Sequence, residues 1–231
     1  MKTKISRKKD NCFSKVYVFI LTLISSMIFI LHCYRRLNID NTQMLELIDK
    51  FTYQSNIWIL IVMCLFFTSL RYKKIFSILM FIAAINIFLT FSMVHLILFK
   101  DEKTELLRQL KEKIIFLDIK HYQHTIIPIL YLIFYFFRTN PGLNIKKAYL
   151  GIIYPLCYFF FYLFANISNL FKNKYYPYDI INPEKPGIFN IKSEGGQGYF
   201  YLFLAIIFLT IIYYFLSVII LFLKNKIKFV R

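Results

Sequence analysis

The chain has 231 residues, of which 58% are hydrophobic and 20% aromatic, and its formal net charge is +17. This composition excludes a soluble domain beside the hydrophobic segments and is typical of an integral membrane protein. The positive charge lies largely in short segments between apolar runs, where it faces anionic headgroups, and no nucleic-acid-binding motif accompanies it. We therefore expect membrane lipids as partners and no nucleic acid.

Six stretches of the chain are apolar and long enough to cross a bilayer, which takes about 20 residues. They are predicted at residues 16–33, 51–70, 75–99, 121–137, 148–171 and 199–223. A basic stretch precedes the first run, but no small-residue cleavage site follows it, so we interpret it as a retained span rather than a signal peptide. The predicted fold is all-α, with residues 1–231 forming a single domain, a bundle of six transmembrane helices.

Basic residues are divided unequally between the two sides that this topology defines. The side that holds the N-terminus carries sixteen of the 29 Lys and Arg residues but only one of the 12 acidic residues, Asp10. Because cytoplasmic loops are enriched in Lys and Arg, we expect both termini in the cytoplasm. The predicted location is the cell membrane, as a multi-pass protein.

Two longer loops are predicted on the outer side. Residues 100–120 mix acids and bases at helical spacing, which indicates a solvated connector or a short surface helix. Residues 172–198 combine Pro and Gly with several Tyr, a composition that excludes regular helix and favours a cap at the membrane interface.

The spans at 51–70 and 121–137 both begin with a polar segment, because their apolar runs alone are too short to cross the bilayer. Both spans run from outside to inside, so the two polar segments meet at the outer boundary. Helical spacing places the polar residues of each segment on one face of its helix. These residues are Thr52, Ser55 and Asn56 on the first helix, and His121, His124, Thr125 and Pro128 on the second. Polar residues inside a membrane are costly and therefore indicate a functional site.

The same residues also have purely structural interpretations. Thr52 can cap its helix, Gln54 and Asn56 can hydrogen-bond between helices, and Pro128 can be a tolerated kink. In that case the protein is a non-catalytic membrane protein that binds lipids or a partner. A third hypothesis is a metal or haem site, because all the histidines fall towards the outer side: His32, His95, His121 and His124.

Three short motifs carry a resemblance to a known family. They are Phe51-Thr52-x-Gln54-Ser55-Asn56, His124-Thr125-x-x-Pro128, and Tyr176-Pro177-Tyr178 before the last span. With the six-span topology, they resemble a family of bacterial six-pass membrane proteins that is distantly similar to the androgen-induced membrane proteins of animals. The resemblance covers most of the chain in topology, and these stretches in residues.

The animal proteins are intramembrane threonine hydrolases that cleave fatty acid esters of hydroxy fatty acids with one Thr and one His. The resemblance implies that Thr52 is the nucleophile and His124 the base. The residues after Thr52 follow the bacterial pattern, so the animal substrate is not carried over. The implied function is a lipid-ester hydrolase or acyl-transfer enzyme at the outer leaflet, which takes a lipid or fatty acyl ester and no cofactor.

Such an enzyme needs a base within about 3 Å of the Thr hydroxyl, and donors for the oxyanion that forms. Asp118 and Asp179 are the candidates for orienting the base. Ser55 and Asn56 are the candidates for donating to the oxyanion.

Overall fold

The computed structural model describes residues 12–38, 49–95, 119–138, 143–168, 170, 175–178, 181–185 and 198–229. Nearly all of these residues are helical, and none of them lies in a strand, so the predicted all-α class is confirmed for the described chain. The main helices are α1, Cys12–Asn38; α2, Phe51–Phe66; α3, Lys74–Met93; α4, Ile127–Phe137; α5, Leu150–Ile167; and α6, Gly198–Phe229.

Shorter helical segments adjoin these helices. A 3-10 turn, Ser69–Tyr72, follows α2, and another, Ile145–Lys147, precedes α5. A single helical turn, Ile119–His121, and a π-helix, Tyr122–Ile126, run directly into α4. The predicted surface segment at 100–120 lies almost entirely outside the described residues.

Four segments of the described chain are long and apolar enough to cross a membrane. They are Cys12–Asn38, Lys74–Met93, Ile145–Ile167 and Gly198–Ile227, with mean hydropathies from 1.7 to 2.8. The predicted spans at 51–70 and 121–137 correspond to shorter helices. The 16 residues of α2 cover about 24 Å, less than the roughly 30 Å of a hydrocarbon core. The apolar helices identify a membrane protein.

The chain divides into two compact units. Unit 1 contains Met1–Leu47 and Thr52–Gly142, and unit 2 contains Ile48–Phe51 and Leu143–Arg231. The division falls between Phe51 and Thr52, within the first turn of α2.

In unit 1, α3 is the central helix. Its apolar segment is 61% buried, against 28% for that of α1. Ala83 and Ala84 are fully buried, and such small side chains let helices approach closely in a membrane. The Tyr131 hydroxyl on α4 donates to the Met80 carbonyl on α3 at 3.1 Å. Asn86 of α3 is fully buried, and neither polar atom of its side-chain amide has a hydrogen-bond partner within the described chain.

The face of α1 that points away from this core is strongly apolar. Phe13, Phe19, Met27 and Ile30 are each more than half exposed. A continuous apolar surface of this kind is unfavourable in water but is solvated by acyl chains in a bilayer.

In unit 2, α5 packs against α6, and the segment at Asp49 packs against α5. The hydroxyls of Tyr158 and Tyr162 both donate to the Asp49 backbone carbonyl, at 2.8 and 3.0 Å. The Tyr175 hydroxyl hydrogen-bonds the Asp49 carboxylate. These bonds pair the carbonyl and one carboxylate oxygen of a buried residue among aromatic rings, whereas Asp49 Oδ1 has no hydrogen-bond partner among the described residues.

The predicted cap at 172–198 is described only in parts. The Asn166 side chain ends α5 and holds this segment, because its Nδ2 donates to the Tyr175 carbonyl at 2.7 Å and its Oδ1 accepts from the Tyr175 N–H at 2.6 Å. The Gly198 N–H donates to the Pro183 carbonyl at 2.8 Å. Gly198 has a φ of +70°, a conformation that favours glycine where the chain turns into α6.

Candidate functional site

Thr52 lies in the first turn of α2, and its side chain is 8% exposed. Ser55, one turn later, is fully buried, and Asn56 is half-buried. The N-terminus of a helix carries a partial positive charge, which favours an anion or a developing oxyanion nearby. The polar residues predicted on one face of this helix therefore lie within its first two turns.

The second polar segment forms a π-helix, and Pro128 gives the physical reason. In a regular α-helix, the ring of Pro128 would collide with the carbonyl of His124, four residues earlier. The chain instead widens by one π turn over Tyr122–Ile126, in which the Ile127 N–H donates to the Tyr122 carbonyl. π turns inside α-helices are rare and are frequent at functional sites.

This π turn changes the helical register that the sequence predicted. Regular spacing would place His121, His124, Thr125 and Pro128 on a single face. A π turn holds more residues than an α turn, so the residues before it rotate relative to Pro128. Pro128 is buried, whereas the two histidines and Thr125 are half-buried.

Two side chains from other helices bond the segment that the π turn and Pro128 disturb. Asn56 Nδ2 donates to the Gln123 carbonyl at 3.2 Å and to the Thr52 carbonyl at 2.8 Å. The Gln123 carbonyl has neither an α-helical nor a π-helical donor. Its α-helical donor would be the Ile127 N–H, which instead donates to Tyr122, and its π-helical donor would be Pro128, which has no N–H. One amide therefore joins the residue that precedes His124 to the residue proposed as nucleophile.

His95 holds the same segment from the other side. Its Nε2 lies 3.0 Å from Thr125 Oγ1, and its ring also hydrogen-bonds the backbone of His124. His121 lies close enough to His95 for their charges to interact. The second polar segment is thus fixed between α2 and the C-terminal end of α3.

The polar donors predicted for an oxyanion are placed differently from the expectation. Both hydrogen bonds of the Asn56 amide go to backbone carbonyls, so this amide supports the fold and offers no donor to a substrate. Ser55 is fully buried. Gln54, beside it on α2, is half-buried. Asp118 and Asp179, predicted to orient the base, lie outside the described residues.

The histidines do not gather into a metal centre. In the described part of the chain, which includes all four, no group of three or more His, Cys, Asp or Glu side chains is placed to hold a metal ion. The His32 ring packs against the Tyr53 ring, with centroids 4.1 Å apart. His95 is engaged with Thr125, as described above.

A small cavity, with room for about one water molecule, lies in unit 1 between α1, α2 and the π-helix. Its lining residues are Ser25, Ile28, Phe29, His32, Tyr53, Asn56, Gln123 and Ile127. Ser25 was missed by sequence reasoning, although a signal exists: it lies seven residues before His32, on the same face of an apolar helix. No sequence pattern distinguishes Gln123, which lies between His121 and His124 in the same polar segment.

Tyr176, Pro177 and Tyr178 belong to unit 2. Tyr178 packs against the aromatic cluster of Tyr158 and Tyr162. Tyr176 hydrogen-bonds Tyr199 at the start of α6, and burial, with Tyr199 beside it, raises the pKa of Tyr176 to about 12. In this unit, the motif anchors the loop to its two helices.

Comparison of the chain with protein-family models, with curated proteins and with solved structures found no match.

Proposed function

We propose that this chain is a membrane hydrolase of lipid esters, in which Thr52 is the nucleophile and His124 is the base. One observation carries the proposal: the Asn56 amide joins the Thr52 turn of α2 to the π turn that contains His124. The resemblance to the bacterial six-pass family and to the animal threonine hydrolases supports the same pair.

The proposed reaction has two steps. Thr52 Oγ1 attacks the ester carbonyl while the imidazole of His124 takes its proton, and the departing alcohol receives that proton. The acyl-threonine is then cleaved by water, which restores the Thr hydroxyl and releases a fatty acid. The burial of Thr52 at a helix N-terminus supports this role, since the helix dipole favours the developing negative charge.

A second candidate is a non-catalytic protein that binds lipid. The hydrogen bonds of Asn56 and His95 favour it, because both side chains serve the backbone around Pro128. In that case the polar residues near Pro128 stabilise helix packing. Replacing them then lowers the stability of the protein and abolishes no catalytic activity.

Labelling with a lipophilic fluorophosphonate separates the two candidates, because this reagent phosphonylates activated hydroxyls. We expect the purified protein to be labelled, Thr52→Ala and His124→Ala to be unlabelled, and Thr52→Ser to keep part of the labelling. Thr22→Ala is the matched control: Thr22 Oγ1 bonds the carbonyl four residues earlier on α1, at 2.7 Å. Full labelling of Thr52→Ala would refute the proposed nucleophile, and no labelling of folded wild type would favour the non-catalytic candidate.

We also propose that the chain crosses the cell membrane six times, with both termini in the cytoplasm. The helical stretch that begins at Ile119 and ends at Phe137, and α2 with its following 3-10 turn, would supply the two passes beyond the four long helices. The bias of basic residues supports this orientation.

A further inference from the structure

His95 lies two residues beyond the end of α3 and bonds the π turn that contains His124. Its Nε2 lies 3.0 Å from Thr125 Oγ1, and its ring also hydrogen-bonds the backbone of His124. One imidazole from a different helix therefore contacts two consecutive residues of this turn. The first of the two is the residue proposed as the base.

The imidazole of His95 is itself held in place. The ring of Phe91, one helical turn earlier, packs against it with ring centroids 4.3 Å apart and planes inclined at 46°. His95 is half-buried, so part of its surface is covered by the protein. A ring that is packed on one side and hydrogen-bonded on another has little freedom to turn. Its two hydrogen bonds therefore fix the π turn relative to α3.

The direction of the His124 side chain depends on the backbone that His95 holds. Successive residues of an α-helix point about 100° apart, so a shift of one residue in helical register turns a side chain by roughly that angle. The π turn is such a shift, and Pro128 lacks the N–H that a regular helix would offer to the His124 carbonyl. Bonds from other helices therefore set the orientation of the His124 imidazole.

We propose that His95 is a positioning residue, which holds His124 in the orientation needed to take the proton of Thr52. His95 acts through the His124 backbone and the Thr125 hydroxyl, and this role requires no contact with a substrate. A reacting group that is misplaced by about 1 Å costs on the order of a hundredfold in rate. The catalytic part of this role rests on the proposed function, whereas the orientation of His124 does not.

Three substitutions separate hydrogen bonding from packing around His95. His95→Phe keeps a ring against Phe91 and removes both hydrogen bonds. His95→Gln offers an amide that can donate and accept at about the place of Nε2. Thr125→Val removes only the hydroxyl that His95 bonds. Its matched control is Thr90→Val, because Thr90 is a buried threonine of α3 whose Oγ1 has no hydrogen-bond partner among the described residues.

The first measurement is the rate at which the full chain reacts with the fluorophosphonate over a range of reagent concentrations. We expect His95→Phe to lower the limiting rate constant about ten- to a hundredfold, and to change the half-saturating concentration less than about threefold. His95→Gln should recover most of the rate. Thr125→Val should lower the rate constant about three- to tenfold, and Thr90→Val less than about twofold. A folded His95→Phe variant that reacts at the wild-type rate would overturn the inference, because a purely structural residue changes only the amount of folded protein.

The second measurement needs no reaction. NMR of the full chain in detergent, with ¹³C in the histidine rings, reports the surroundings of His124, whose signal is assigned by its loss in His124→Ala. We expect one His124 ring signal in the wild type and in His95→Gln, and several signals or a broadened one in His95→Phe. A folded wild type that takes up no fluorophosphonate would refute the hydrolase and leave this test in force. A His124 signal that His95→Phe leaves single and sharp would overturn the positioning role.

Discussion

The side-chain amide of Asn56 donates to the backbone carbonyl of Gln123 at 3.2 Å, and so joins α2 to a π turn 67 residues later. The carbonyl that it serves lacks its α-helical donor because the π turn shifts the hydrogen-bond register by one residue. Hydrogen bonds between membrane helices often have modest energies, but a buried carbonyl left unsatisfied is costly.

We expect Asn56→Ala to destabilise the protein by about 1–2 kcal/mol, because it leaves the Gln123 carbonyl without this donor. Thermal unfolding in detergent would show a fall of several degrees. Asn38→Ala is the matched control, because Asn38 bonds the carbonyl four residues earlier in the same way but at an exposed site. An equal loss in both variants would show that the interhelical bond contributes nothing.

Pro128→Ala should reduce the effect of Asn56→Ala. An alanine at 128 has an N–H that can serve the preceding carbonyls, and it removes the steric reason for the π turn. A double-mutant cycle on thermal stability should give a coupling of about 0.5–1.5 kcal/mol between the two positions. Strict additivity would mean that Asn56 does not compensate for Pro128.

Tyr158 and Tyr162 should behave as a redundant pair. Each donates to the Asp49 carbonyl, which has two lone pairs, so Tyr158→Phe or Tyr162→Phe alone should cost about 0.5–1 kcal/mol. The double variant should cost more than the sum, because the buried carbonyl then loses both hydroxyl donors. Thermal unfolding measures this, with the exposed Tyr149→Phe as control. Additive losses would rule out the redundancy.

Arg138→Lys should destabilise unit 1 by about 1 kcal/mol although the charge is kept. The Arg138 guanidinium carbon lies 4.5 Å from the centre of the Phe66 ring and 4.9 Å from that of Phe76. A planar guanidinium stacks on rings in a way that an ammonium does not. The control is Arg35→Lys at an exposed position, which should leave the unfolding temperature unchanged. A similar result for both would show that only charge matters at 138.

The proposed orientation predicts which cysteines react from outside the cell. Cys12 is exposed and lies on the side predicted to be cytoplasmic, so a membrane-impermeant maleimide should label it only after the cells are opened. In a background in which the native cysteines are replaced by serine, a cysteine at Lys103 should react in intact cells. Labelling of Cys12 in intact cells would show that the orientation is the opposite of the proposed one.

The all-α class and the apolar segments were predictable because the bilayer acts locally. Each spanning segment must satisfy its own backbone hydrogen bonds and present apolar side chains. Both requirements can be recognised in the sequence of about 20 consecutive residues. The two polar segments were predictable for the same reason, since each precedes an apolar run that is too short to cross the bilayer on its own. The proposed pairing of Thr52 with His124 came from a resemblance and stays a prediction.

Pro128 shows where local reasoning stops. A kink was predictable from a proline inside a span. Its form as a π turn depends on which groups can donate hydrogen bonds to the carbonyls that lose a donor because proline has no N–H. The donors are Asn56 and His95, which belong to other helices. The tyrosines that hold Asp49 are likewise more than 100 residues away in the chain.

The sequence by itself determined that this is a helical membrane protein with polar residues at the start of two apolar runs, since hydropathy and helical period are properties of neighbouring residues. Only the tertiary structure decided the π turn, the two bonds that support it, and the small cavity that Ser25 and Asn56 both line. The physical reason is that a buried polar group takes its partner from whichever helix packs against it, and no pattern along one helix specifies that neighbour.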